Sequence, residues 1–419
     1  MRRSIHGFIA LCAAFFAGVA AHAQTPPPRT LLIVLDGLRP DYVTPERMPR
    51  LHALGEAGVV FEKHHSVIPT VTRVNAASIA TGVYPGKHGL LGNAVYIKEA
   101  GEKTISTADR DALAAAEAAT GGNLLRARSL GEYLQEAGKK LVVCSSGSTG
   151  SAFLLNHKVS GGAIIHSTYT MPADLDARVQ EVLGPVPPDA VPNTGRNARV
   201  TDAVLKLAVD ELHADVVIAW YNDPDNTAHA KGMGDALTEQ ALREVDAEVG
   251  RLMDGLAERG LADRFNVMVT SDHGFSTYAG DQNPYAALND ILRGLKIDTN
   301  EVRIAEFSIY LSGAAEGRAA DIALKLQQQP WVGAVFTRPM APGVPFGEAA
   351  GTLALGALNM ECDRMPHLLV FPAWNDETNA AGYAGKSLVI GGAAGHGNTS
   401  PWDVHNTLIA SGPAFRKGL

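Results

Sequence analysis

The chain has 419 residues, with 36 Lys and Arg against 44 Asp and Glu, a net charge of −8 and 46% hydrophobic residues. That length suits one large α/β domain with an insertion, or two domains, and mild acidity without a basic run argues against general nucleic-acid binding. The three cysteines, Cys12, Cys144 and Cys362, are spaced too widely for a cysteine-ligated metal centre.

Arg2 and Arg3 precede an apolar run at 8–20, and Ala21-His22-Ala23 follows it. A charged start, an apolar centre and a small-x-small end form a secretory signal peptide, here 1–23. The run is shorter than the roughly 20 residues a bilayer span needs, so cleavage and a periplasmic or secreted protein without stable membrane insertion are expected. Loss of Arg2 and Arg3 takes the net charge from −8 to −10. Export permits a disulfide, but Cys144 lies in "KLVVCSS", which reads as a buried strand, so pairing with Cys362 is not expected.

Continuous β-branched runs follow in order: "TLLIVLD" at 30–36, "KLVVCSS" at 140–146, "ADVVIAWY" at 214–221, "NVMVTSD" at 266–272 and "HLLVFP" at 367–372. Such runs predict strands buried on both faces. Helical patterns at 129–137, 198–212 and 236–259 alternate with them, which predicts a doubly wound, mostly parallel α/β sheet flanked by helices. The stretch at 295–351 holds a strand-like "RIAEFSIYL", a helix-like 316–329 and a strand-like "WVGAVFT". It reads as an inserted cap at 296–351, leaving 24–295 and 352–419 as the catalytic domain.

Several strands end in polar residues: Asp36-Gly37, Asn222-Asp223 and Ser271-Asp272-His273-Gly274. Ligands of open α/β sheets bind beyond the carboxyl ends of strands, so these tails are expected to converge. Asp225 and His229 stand four apart in "NDPDNTAHAKG", Asp223 competes with Asp225, and His396 lies in "GAAGHGNTSP". Carboxylates and imidazoles suit zinc and related divalent ions, and six such residues exceed one ion's needs, so two ions are expected. "SVIPTVTRVNAAS" places Thr70, Thr72, Arg73 and Asn75 at the head of a small-residue helix.

In this order, strand-Asp-Gly, P-T-x-T-x-x-N, T-G-x-Y-P-x-x-H-G, D-x-x-x-H, S-D-H-G and G-x-H-G, the sequence resembles the alkaline phosphatase superfamily. Within it the chain is most similar to the type I phosphodiesterase/nucleotide pyrophosphatase family, from residue 31 to about 415. The resemblance implies Thr72 as nucleophile, sharing one metal with Asp36, Asp272 and His273, and a second metal on Asp225, His229 and His396. It also implies that Asn75 donates to a phosphoryl oxygen and that the substrate is a small phosphate ester, a diester or pyrophosphate, cleaved through a phospho-threonine. A phosphomonoesterase, a phosphonate hydrolase or a non-catalytic periplasmic metal- or phosphate-binding protein are the alternatives. Where nucleotide-cleaving relatives often have an aromatic residue after the nucleophile, this chain has Arg73, a candidate for a second anionic oxygen of the substrate. The residues carry no signal of oligomeric state.

Overall fold

The structure is a computed structural model that describes residues 27–159 and 161–418; the signal-peptide segment and Cys12 lie outside the described residues. Its centre is an eight-stranded sheet in the order Val59–Val60, Leu408–Ser411, Phe265–Thr270, Arg29–Leu35, Val216–Tyr221, Leu141–Ser145, Ala163–His166 and Tyr169–Met171. Five strands, from Phe265–Thr270 to Ala163–His166, run parallel, and antiparallel strands close both edges. Leu31, Ile33 and Leu35 face one buried apolar layer and Val34 the other, which is why the run lacks polar alternation.

Helices cover both faces. Leu130–Glu136 starts with a full capping box between Ser129 and Glu132. Thr194–Asp202 continues through a π-helical turn at Ala203–Val209, and Ala236–Glu258 buries Leu242, Val245, Val249 and Leu252 at helical spacing.

Two expectations change. "HLLVFP" is not in the parallel sheet: Leu368–Pro372 is the middle strand of a separate five-stranded sheet, antiparallel to Ser308–Leu311 and Val332–Thr337. One face packs on Ile309, Ile322 and Leu326, the other sets Leu369 and Phe371 against Leu91 and Met360. A continuous apolar run reports burial on both faces, and it does so equally in either sheet. "RIAEFSIYL" is a hairpin, Val302–Ala305 against Ser308–Leu311, turning at Glu306 with φ +55°.

A third sheet, in the order Trp374–Thr378, Ala384–Ser387, Ser276–Tyr278 and Ala394–Gly395, ties the segment after Ser271-Asp272-His273 to the one before His396. Ser276 pairs with Gly395 in its register, so His273 and His396 emerge side by side. Cys144 is buried and Cys362 partly buried, and neither forms a disulfide.

Candidate active site

The carboxyl ends of three neighbouring parallel strands carry Asp36, Asp223-Pro224-Asp225 and Asp272-His273. Gly37, at φ +74°, makes the turn after Asp36; a Cβ there would lie 3.1 Å from the Cβ of Asp225, so the close approach of the two aspartates needs glycine. Asp225 opens the helix Asp225–Lys231, which puts His229 one turn on and on the same side. Asp223 is turned away: its carboxylate accepts from the Asn193 and Thr227 amides, the Asn197 side chain and the Thr227 hydroxyl. It ties down the helix start, and of the two aspartates it is Asp225 that faces the histidines.

Asp225 Oδ1 lies 3.2 Å from His229 Nε2, 3.4 Å from His396 Nε2 and 4.0 Å from His273 Nε2. His273 Nε2 lies 3.3 Å from Asp36 Oδ1 and 3.1 Å from Asp272 Oδ2. Those three oxygens, Asp36 Oδ1, Asp225 Oδ1 and Asp272 Oδ2, are buried without a hydrogen-bond donor. Each histidine directs its other nitrogen, Nδ1, at a backbone carbonyl: Ala394 for His229, Gly274 for His273 and Thr70 for His396. That contact holds the proton on Nδ1 and turns the Nε2 lone pair inward, toward the orphaned oxygens.

Lone pairs facing lone pairs need positive charge between them. Protons on all three rings cannot supply it, because the His273 and His396 rings stack with centroids 3.4 Å apart and two imidazolium ions at that distance repel strongly. Divalent cations fit. Bonds of about 2.0–2.1 Å at tetrahedral angles separate donor atoms by about 3.3 Å, close to the observed spacings. Two overlapping groups have donor atoms mutually within 4.8 Å, Asp225 with His229 and His396, and Asp36 with Asp225 and His273.

The side chains' own electrostatics express the same need. Burial, then the charges of Asp272 and Asp225, push Asp36 well above the usual carboxylate range. Burial also opposes ionisation of Asp225, but the neighbouring imidazoles of His229, His396 and His273 outweigh it and hold that group below its ordinary value. Burial and the adjacent His273 push His396 well below the usual imidazole range.

Thr72 is the first residue of the helix Thr72–Thr81, after Val71. Its hydroxyl caps nothing and lies 3.2 Å from His273 Nε2. Thr70, by contrast, donates to the Asn398 carbonyl and accepts from Gly397 N, so it fastens the loop that carries His396. Thr72, Arg73, Asp225, His229 and His396 line a cavity of about 560 Å³, which Glu306 and Phe307 from the Val302–Leu311 hairpin also line.

Asn75 does not reach this cavity. Its amide donates toward the carbonyls of Val67, Pro69 and Val71, and its oxygen accepts from Val67 N. A side chain so committed anchors the loop leading to Thr72, which corrects the expectation that it donates to substrate. Asn93, not Asn75, is the asparagine at this cavity. It lines the cavity, its Oδ1 accepts from Arg73 N at 3.1 Å, and its Nδ2 has no partner among the described residues. In the sequence Asn93 ends the glycine-bearing loop "KHGLLGN", where no helical or strand period fixes its direction.

The model of the type I phosphodiesterase / nucleotide pyrophosphatase family matches residues 30–344. The chain belongs to this family. Rat ectonucleotide pyrophosphatase/phosphodiesterase family member 1 is 26% identical over 291 residues, 67% of this chain and 27% of the relative. Mouse bis(5'-adenosyl)-triphosphatase is 24% identical over 401 residues, 94% of this chain and 74% of the relative. The chain thus spans only about a quarter of the length of the rat family member. Among solved structures, murine ectonucleotide pyrophosphatase/phosphodiesterase 5 superposes with a TM-score of 0.62 at 17% identity, covering 93% of this chain and 90% of that one. Phosphonoacetate hydrolase from Sinorhizobium meliloti gives 0.64 at 18% identity, covering 91% and 90%. These likenesses place the fold among those of this family and of phosphonate hydrolases.

Proposed function

We propose that the protein is an exported, metal-dependent phosphoesterase that cleaves phosphodiester or pyrophosphate bonds through a covalent phospho-threonine on Thr72. The observation that carries this reading is the Thr72 hydroxyl, uncommitted to capping, at the rim of a cluster of three orphaned carboxylate oxygens and three inward-facing imidazole nitrogens. The names of its relatives, a pyrophosphatase/phosphodiesterase and a bis(5'-adenosyl)-triphosphatase, support the choice of diesters and pyrophosphates.

Asp36, Asp272, His273 and Thr72 would hold one divalent ion and Asp225, His229 and His396 a second, with zinc the best match to this oxygen and nitrogen donor set. Such ions supply a lowered hydroxyl pKa for attack and charge stabilisation for the departing oxygen. The chain's own groups do the positioning. Thr72 Oγ1 forms the new bond to phosphorus as the bond to the leaving oxygen breaks on the opposite side. Asn93 Nδ2 donates to a non-bridging phosphoryl oxygen, held in place by the Arg73 amide that its Oδ1 accepts from. Water then displaces Thr72 from the vacated side and releases the phosphorylated product. The hairpin bearing Glu306 and Phe307 caps the cavity and contacts the substituents. We place the cap at 296–351 together with the strand Leu368–Pro372, which completes its sheet. Among the described residues no helix is long and apolar enough to cross a membrane.

The test compares kcat/KM for bis-p-nitrophenyl phosphate and p-nitrophenyl phosphate on zinc-loaded protein, with Thr72→Ala alongside. A diester preference abolished by Thr72→Ala, with a Thr72 peptide carrying a 4-nitrophenylphosphoryl group recovered after acid quench of the diester reaction, supports the reading. Undiminished turnover in Thr72→Ala refutes the covalent route, and a monoester preference moves the assignment to a phosphomonoesterase.

A further inference from the structure

The proposed chemistry leaves one charged group of the cavity unused. Arg73 follows Thr72 on the first helical turn and lines the cavity, yet its guanidinium has no hydrogen-bond or ion-pair partner among the described residues. Its Nε is buried and unpaired. A guanidinium carries five donors in a rigid fork, and burying part of it without an acceptor is unfavourable unless a ligand supplies one.

The surroundings hold the residue in place while leaving its head open. Asn93 Oδ1 accepts from Arg73 N at 3.1 Å, and Glu306 Oε2 in turn accepts from Asn93 N at 2.9 Å. The backbone of Arg73 is therefore tied through Asn93 to the cap hairpin, while the Glu306 carboxylate accepts from that loop and acts on the guanidinium by its charge, without a hydrogen bond to it. Charge balance for Glu306, then Asp36, Asp225 and Asp272, is the simpler role for an arginine here. It does not account for a fork on the cavity wall that meets no acceptor.

In-line displacement puts the leaving oxygen on the far side of phosphorus from Thr72 Oγ1. A group beside Thr72 consequently meets the substituent that stays on phosphorus.

We infer that Arg73 receives a second anionic group on the retained substituent of the substrate, a carboxylate or a further phosphoryl group, and so selects such esters over those with neutral substituents. This inference rests on the phosphoesterase reading and deepens it. Glu306, the carboxylate whose charge acts most strongly on Arg73, opposes the same anion and limits the selectivity that Arg73 confers.

Three 4-nitrophenyl phosphodiesters with one leaving group, bearing propyl, 2-carboxyethyl or 2-phosphonoethyl as the second substituent, test this on the metal-loaded protein. Charge-assisted, forked hydrogen bonding is expected to raise kcat/KM for an anionic ester about tenfold or more over the propyl ester. Which anionic ester gains identifies carboxylate or phosphoryl recognition. Arg73→Gln should bring the ratio near unity, Arg73→Lys should give an intermediate ratio, and Glu306→Gln should widen it. The opposite signs at the two positions are something a merely structural role would not produce. A wild-type ratio near unity with the propyl ester turned over, or a preference that survives Arg73→Gln, overturns the inference and leaves the phosphoesterase standing. Failure to hydrolyse any of the three removes the underlying reading, and the inference with it.

Discussion

Trp220→Phe is the perturbation that most directly tests how the proposed metal-binding residues are held. Trp220 is fully buried on the strand Val216–Tyr221, opposite Val34, and its indole nitrogen donates to Asp36 Oδ2 at 3.0 Å. Among the described residues no other side-chain donor serves that carboxylate, and Asp36 Oδ1 has none. Phenylalanine keeps most of the packing and removes the donor. A hydrogen bond to a charged group contributes about 1.5–3 kcal/mol, whereas the lost ring volume costs about 1 kcal/mol in a core that relaxes in part. The polar loss is therefore the larger one, and it falls on the orientation of Asp36. Metal affinity should drop about 10–100-fold, the usual consequence of removing an outer-shell partner. Competition with a colorimetric zinc chelator measures this, and thermal melts with and without zinc separate it from a general loss of stability. Combining Trp220→Phe with Asp36→Asn should give less than the sum of the single effects, because both act on one interaction. An unchanged zinc affinity in Trp220→Phe, with melting lowered equally in both conditions, would show that the indole is only filling space.

Asn93→Ala should lower kcat about 10²-fold by removing a donor to the developing charge, while Asn75→Ala should lower urea stability by about 2 kcal/mol by stranding Val67 N and its loop carbonyls; the reverse pattern would return the donor role to Asn75. Chelation should lower the melting temperature, and zinc at about 100 times its dissociation constant should restore about 2.7 kcal/mol; a melt indifferent to chelator argues against a bound ion. Burial pushes His88, which is neutral between Ser78 and Leu90 N, down to about 3 from 6.5. Its contribution is thus complete above pH 6.5 and lost as pH falls toward 3, by up to about 1.4 kcal/mol per unit. Urea titrations at pH 7 and 5 should show this slope, and His88→Asn should flatten it.

The fold was legible wherever burial left a continuous mark. The apolar runs that became Arg29–Leu35, Leu141–Ser145, Val216–Tyr221 and Phe265–Thr270 gave the parallel centre of the sheet, because strands covered on both faces tolerate few polar residues. The same mark misplaced Leu368–Pro372, since double burial does not say which sheet provides it. The hairpin at Glu306 was hidden because a left-handed turn there uses neither glycine nor asparagine. At the site, Asp36, Asp225, Asp272 and the three histidines could be named from short motifs, as each follows a strand end or helix start that fixes its direction. Asn75 and Asn93 were not separable that way. One sits in a helix whose buried side turns it from the cavity, and the other ends a loop whose path depends on Glu306, more than two hundred positions later.

His396 reaches the cluster only because Ala394–Gly395 pairs with Ser276–Tyr278 near the end of the chain. The residues around the Thr72 hydroxyl thus come from Asp36 near the start to His396 near the finish, with Thr70 already bonded to the His396 loop. A chain that stops short of His396 would hold the donors proposed for one ion, Asp36, Thr72, Asp272 and His273, but lack the third member of the Asp225, His229 and His396 group. Under the proposed two-ion reading the second ion's site is thus the last to be assembled, and the late pairing of Ala394–Gly395 with Ser276–Tyr278 is what completes it.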